Sequence, residues 1–273
     1  MRNRFSWFNA TSLTLGFAFL YLPILILVVY SFNSSKLVTV WAGFSTKWYG
    51  ELFHDQAFMD AAIVTLKVGL ASSTLATVLG TMAAYVLVRG GRFFGRTLFS
   101  GMIYAPLVVP DVITGLSLLL LFISIGLDRG IGTIVLAHAT FSMCYVSVVV
   151  SSRLVSFDRA LEEAALDLGC TPWDAFKSVT LPIIAPAVIS GWLLAFTLSL
   201  DDLVIASFAS GPSATTLPMK IFSQVRLGVS PEINALSTIL ISIVTVGVVT
   251  TSVLTKQAAV RRKRQEQEAA KQD

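Results

Sequence analysis

The chain has 273 residues, 55% of them hydrophobic and only 13% charged, with a formal net charge of +4 and a pI near 9.2. This leaves too little polar surface for a soluble globule of that size, so the chain belongs in a membrane. The basic residues lie beside apolar segments instead of forming one patch, which fits orientation in a bilayer and argues against nucleic acid.

Met1 to Ala10 carries Arg2 and Arg4, and an apolar run from Thr11 to about Tyr30 follows. The run exceeds the apolar core of a signal peptide and no A-x-A-like site follows it, so it reads as a retained first membrane helix. Ser31 to Asp60 is polar and aromatic, with Trp41, Trp48 and Tyr49 suited to a membrane-water interface. Val68 to Val88 supplies a second span without a charge, and Lys67 just before it can snorkel outward as an anchor. Arg89, Arg92 and Arg96 fill a basic turn before the third apolar run, Leu98 to about Gly126, and Asp128 and Arg129 lead to the fourth, Ile131 to Val150. Two cysteines, Cys144 in the fourth run and Cys170 beyond it, are not placed to meet in a disulfide. Neither cysteine has metal-ligand spacing; His54 reads as a loop residue and His138 as a helix-packing residue.

A charged island, Ser151 to Pro182, follows. Leu161, Ala164, Ala165 and Leu168 fall at i, i+3, i+4 and i+7, an apolar stripe on a short helix whose other positions hold Arg159, Glu162, Glu163 and Asp167. Gly169 supplies the residue most tolerant of the left-handed conformation after a helix. Thr171 is placed to cap a second helix, with Pro172 at its first position and Asp174 three residues after the cap. Pro182 is expected to end or bend that helix. A fifth apolar run covers Ile183 to Phe208, a Gly-, Pro- and Ser-rich loop reaches Glu232, a sixth run covers Ala235 to Leu254, and a basic tail closes the chain.

Counting Lys and Arg beside these runs gives 14 with the two termini, the Arg89 turn and the island, against 5 on the opposite side. The expected fold is therefore an all-α integral membrane protein of six transmembrane helices, N-in and C-in. Residues 1–60 form a first helix and periplasmic segment, 61–255 a core with a cytoplasmic loop at 151–182, and 256–273 a basic cytoplasmic tail.

Glu163-Ala164-Ala165, then Gly169, Val179 and Leu181-Pro182 at their spacings, resemble the EAA loop of permease subunits in binding-protein-dependent ABC importers, which usually have Ile where Val179 stands. The resemblance implies a coupling helix that sits in a groove on a cytoplasmic ATPase, with Glu163, Ala164, Ala165, Gly169, Leu181 and Pro182 as its matching positions. Small residues suit that role because they let another protein approach the backbone closely.

Three carboxylates interrupt apolar runs: Asp111 in the third, Asp201 and Asp202 in the fifth. An ionisable side chain at mid-bilayer costs roughly 2.5 to 3.5 kcal/mol on insertion scales, so it pairs, is protonated or faces a water-filled path. Pro106 and Pro110 are expected to break the helix before Asp111 and free carbonyls beside it. On a straight helix Asp111 would lie about 20 Å beyond Leu98, and Asp201 and Asp202 would diverge by about 100°. No Lys or Arg lies among these runs, so the acids read either as a cation pathway or as partners of other helices. Residues 199–238, 106–122 and 32–52 resemble polyamine importer permeases, closest to the putrescine type. That implies a second related permease subunit, an ATPase dimer that binds ATP and Mg, a periplasmic polyamine-binding protein, a polyamine substrate and a bacterial inner-membrane setting. No G-x-x-x-x-G-K-[ST] phosphate loop occurs, so no cofactor is expected in this chain itself and the energy source is another subunit. Three alternatives remain open: a permease for another cationic or small solute in the same ABC importer family, a proton-coupled carrier using these acids, told apart by dependence on a proton gradient, and an intramembrane hydrolase, which lacks an accompanying motif.

Overall fold

The computed structural model describes residues 7–37, 40–228 and 230–269. Its helices are α1 (Trp7–Tyr30), α2 (Lys47–His54), α3 (Gln56–Arg89), α4 (Arg96–Tyr104), α5 (Asp111–Ser124), α6 (Ile131–Ser156), α7 (Ala160–Asp167), α8 (Pro172–Ala175), α9 (Leu181–Asp201), α10 (Val204–Ala209), α11 (Leu217–Leu227) and α12 (Pro231–Ala269). Arg2, Arg4 and Lys271 lie outside the described residues. Among the described residues, four segments are long and apolar enough to cross a membrane: α1, α3, α6 and the continuous Pro172–Asp201. Taken together, the pair Arg96–Leu107 and Asp111–Ser124 has the same length and apolar character but is bent by 115°, and the apolar part of α12 is Pro231–Gly247.

The chain divides into two units, residues Ala57–Ser223 and Met1–Gln56 with Gln224–Asp273, so the last helix groups with the N-terminal segment. In the latter unit Asn33 organises the connection after α1. Its amide donates to the Val40 carbonyl at 2.8 Å, and its Oδ1 accepts from the amides of Ser35 and Ala42 at 3.2 and 2.9 Å. Trp48 is 2% exposed, and its Nε1 donates to the Asn33 carbonyl at 2.6 Å. Trp41 is exposed.

In the larger unit α6 packs between α3 and α9 through small residues, the way helices approach closely in lipid. Ala76 and Ala84 of α3, Val146 and Val150 of α6, and Ile184 and Ala195 of α9 form one cluster. A second joins Val68, Phe122, Ile134, Ile205, Ala206 and Ala209, placing α10 among α3, α5 and α6. The helix α3 extends 11 residues before Lys67, about 17 Å along the axis, and Lys67 is exposed on its side.

Three expectations are refined. The bend at Val108–Pro110 removes the straight path on which the depth of Asp111 was reckoned. Of the two outcomes expected at Pro182, an end or a bend, the helix does not end: a five-residue π-turn, Phe176–Thr180, carries α8 into α9, so the regular ladder is interrupted directly before the proline that lacks an amide hydrogen. The loop after α10 contains α11.

A methyl group on Gly80 would stand 2.7 Å from the Met143 carbonyl oxygen and 2.8 Å from Val146 Cβ. Gly80→Ala should therefore cost about 1–3 kcal/mol, read as a lower Tm in detergent, through overpacking of α3 on α6. Gly101→Ala, inside α4 with nothing within 4 Å, should not lower Tm and should raise it slightly, because alanine is the better helix former.

Candidate functional site: intramembrane acids and a helix-turn-helix

Pro106 lies in a 3-10 turn, Ala105–Leu107, and Pro110 is the extended residue before α5, with φ −57° and ψ 140°. Proline offers no amide hydrogen, so the helical ladder fails there and restarts at Asp111. The carboxylate of Asp111 stands exposed in the first turn of α5, where the helix dipole favours a negative charge. Tyr145 of α6 is within electrostatic reach of it.

The fifth apolar run breaks as well, at Asp202–Leu203, where no proline or glycine marks the place. Asp201 is the last residue of α9 and Asp202 is extended, with φ −66° and ψ 126°. The amides of Ala206 and Ile205 donate to the Asp202 carboxylate at 2.7 and 3.4 Å, which serves the otherwise orphaned start of α10. His138 Nε2 lies 3.1 Å from the same carboxylate, and His138 Nδ1 lies 2.7 Å from Ser199 Oγ. Ser72 Oγ donates to Ser199 Oγ at 3.1 Å, so with the imidazole proton on Nε2 the chain runs in one sense from α3 through α9 and α6 to α10. Thr133 of α6 donates to the Ala209 carbonyl at 2.8 Å and holds the other end of α10.

His138 is thus more than a packing residue. It is 2% exposed in an apolar run, and a buried polar ring needs partners; the signal in the sequence was that need, without the address of the partner. Asp201, one residue away from Asp202, is exposed at a helix C-terminus, where the dipole disfavours an anion. Neither Asp111 nor Asp201 has an ion-pair partner among the described residues.

The charged island forms the expected helix-turn-helix. Gly169 adopts φ +90°; its amide donates to Leu166 O at 2.9 Å and the Cys170 amide to Ala165 O at 3.1 Å, a Schellman ending for α7. Thr171 Oγ1 accepts from the Asp174 amide at 3.2 Å and caps α8. The apolar stripe is not buried as a unit: Ala165 is covered, whereas Leu161, Ala164 and Leu168 are exposed, Leu168 at 87%. Glu163 faces outward too, paired with Arg159 at 3.1 Å on the same helix. Leu181 and Pro182 start α9, across the π-turn from this surface. The residue missed is Glu162, whose carboxylate meets Arg89 Nε at 2.9 Å and accepts from Thr180 Oγ1 at 2.7 Å. It lies three positions before Ala165, on the covered face.

Residues 76–264 match the family described as binding-protein-dependent transport system inner membrane component. The chain is 63% identical over 238 residues, 85% of each sequence, to the putrescine transport system permease protein PotI of Escherichia coli (strain K12). It is 43% identical over 244 residues, 89% of this chain and 92% of the relative, to the spermidine/putrescine transport system permease protein PotC of the same strain. Among solved structures it resembles a bacterial ABC transporter involved in import of the acidic polysaccharide alginate, with TM-score 0.70 at 20% identity over 90% of this chain and 94% of the other. The inward-facing MetNI methionine ABC transporter gives TM-score 0.58 at 15% identity, covering 68% and 88%.

The two neighbouring acids should separate by stability. Asp202→Leu strands His138 Nε2 and the Ala206 amide and should cost about 1–3 kcal/mol in detergent unfolding. Asp201→Leu, at an exposed helix end, should change stability by under about 0.5 kcal/mol. Equal losses would contradict the division of roles.

Proposed function

We propose, for a chain that belongs to the family of binding-protein-dependent transport system inner membrane components, that it is the permease subunit of an ATP-driven polyamine importer and that putrescine is its substrate. The observation that carries this is the 63% identity across 85% of both chains to a putrescine permease. The chain is a transporter subunit of the bacterial inner membrane and not an enzyme.

The finer arrangement consists of six spans, with both termini and the 151–182 loop in the cytoplasm. The bent α4–α5 pair supplies one span and α12 another. The 14-to-5 division of basic flanks supports the orientation. The Glu163–Gly169 surface then faces a cytoplasmic ATPase dimer, where ATP and Mg bind, with Leu181 and Pro182 carrying the connection into α9. A second, related permease completes the pore and a periplasmic polyamine-binding protein delivers the substrate. Residues 61–255 serve as the permease core in this scheme.

Asp111 and Asp201 line the route. Putrescine is a short dication, and a carboxylate about 4 Å from an ammonium contributes roughly 4 kcal/mol at an effective dielectric near 20, enough to offset part of the lost hydration. Two separated acids suit a site that must also release its load. Asp202, engaged by His138 and by the start of α10, shapes the route without being free to meet the amine.

In proteoliposomes holding the whole complex, Asp111→Asn and Asp201→Asn should each lower putrescine uptake at least about tenfold, equivalent to 1.4 kcal/mol, with the ATPase still bound. Asp202→Asn should retain more uptake per assembled complex. Full uptake in both of the first two, or uptake of a neutral solute by the intact complex, would refute the pathway.

Orientation can be read on the native chain, because Cys170 is exposed in the island and Cys144 is buried. A membrane-impermeant thiol reagent should leave Cys170 unlabelled in intact cells and label it in inverted vesicles stripped of the ATPase. Labelling from outside would reverse the topology.

A further inference from the structure

Glu162 belongs to the helix-turn-helix but faces away from its exposed surface. Its two carboxylate oxygens are used on two different membrane helices. One forms an ion pair with Arg89, in the last turn of α3, at 2.9 Å from Nε but without the Nε hydrogen directed at it; the other accepts from Thr180 Oγ1, at the end of the π-turn leading into α9, at 2.7 Å. Arg89 and Glu162 are each 12% exposed and Thr180 is buried. Arg89 also donates through Nη2 to the Phe157 carbonyl at 3.3 Å and lies over the Phe157 ring, at the end of α6. Glu163, the next residue, differs in kind: its pair with Arg159 is on its own helix and solvent-exposed, so it fastens α7 to nothing else.

We infer that Glu162, Arg89 and Thr180 form the joint through which displacement of α7 is passed to α3 and α9 together; this rests on the reading that the 151–182 loop docks on an ATPase. Two features support transmission over simple stapling. The helix α7 has eight residues with only Ala165 buried, so apolar packing holds it weakly and the charged contact is its main lateral attachment. Thr180 closes a π-turn, where the helical ladder already departs from its regular spacing and can change register at least cost. A pull on Glu162 therefore acts where the α8–α9 helix is most ready to yield, while Arg89 passes the same displacement to the end of α3. Arg89, Glu162 and Thr180 are positioning residues in this scheme; none touches the amine or the nucleotide.

The test uses the complete complex in proteoliposomes, measuring ATPase retention on purification, ATP hydrolysis, and putrescine moved per ATP. Glu162→Gln removes the charge and keeps the shape, Arg89→Gln removes the other charge, and Thr180→Val removes only the hydroxyl. The joint predicts that each variant retains the ATPase while putrescine moved per ATP falls about tenfold, within the range for coupling between sites. The Glu162→Gln/Arg89→Gln pair should be no worse than either single change, because the two act as one unit. A wild-type ratio in Glu162→Gln and Thr180→Val overturns the proposal, and so does loss of assembly in both with a wild-type ratio in the complex that remains. Gly169→Val, measured in parallel, separates the premise: if it stays assembled and coupled, the docking reading fails; if it uncouples while Glu162→Gln is normal, the joint alone fails.

Discussion

A helix that starts inside an apolar layer leaves amide hydrogens with nothing to bind, and the Asp202 carboxylate meets that need at the start of α10. The same carboxylate satisfies the buried ring of His138, which in turn engages Ser199 and, through it, Ser72. One side chain thus holds α3, α6, α9 and α10 in a single polar chain. Its removal would leave both a buried backbone amide and a buried imidazole short of a partner. The position of α10 depends on this, and with it the packing on α5: a methyl group on Gly115 would lie 2.6 Å from the Phe208 ring, so the two helices touch through a residue without a side chain.

The two breaks are built differently. At Pro106 and Pro110 the donors are absent by chemistry, so the turn before Asp111 needs no partner for them. At Asp202 the donors are present and a side chain supplies the acceptor. Both breaks leave a carboxylate in the open, Asp111 at a helix start and Asp201 at a helix end. The helix dipole supports the first and opposes the second. An acid kept at an unfavourable helix end, without a basic partner among the described residues, is the kind of local conflict expected of a functional position.

The helix-turn-helix after α6 has two faces with different work. Outward lie Leu161, Glu163, Ala164, Leu168 and Trp173, exposed as a partner surface would be. Inward lie Ala165 and Glu162, the latter tied to α3 and to the π-turn. Trp173 stacks on Phe176, and Phe176 meets Tyr85 of α3 edge-on, so α8 is also fastened to α3 by rings. The module is attached on its inward side and exposed on its outward side.

Local chemistry was legible without coordinates. The apolar runs, the basic flanks, the Gly169 ending, the Thr171 cap and the proline break before Asp111 each follow from a residue acting on its own few neighbours. The tertiary structure alone decided which acid is free, because the partner of Asp202 lies 64 residues away in a run with no polar pattern to announce it. It likewise decided that Trp48 is buried, that Glu162 and not Glu163 faces the membrane helices, and that the helix continues through Pro182. In lipid every face of a helix is apolar, so hydropathy does not distinguish the face that packs from the face that meets acyl chains, and only the folded neighbours can.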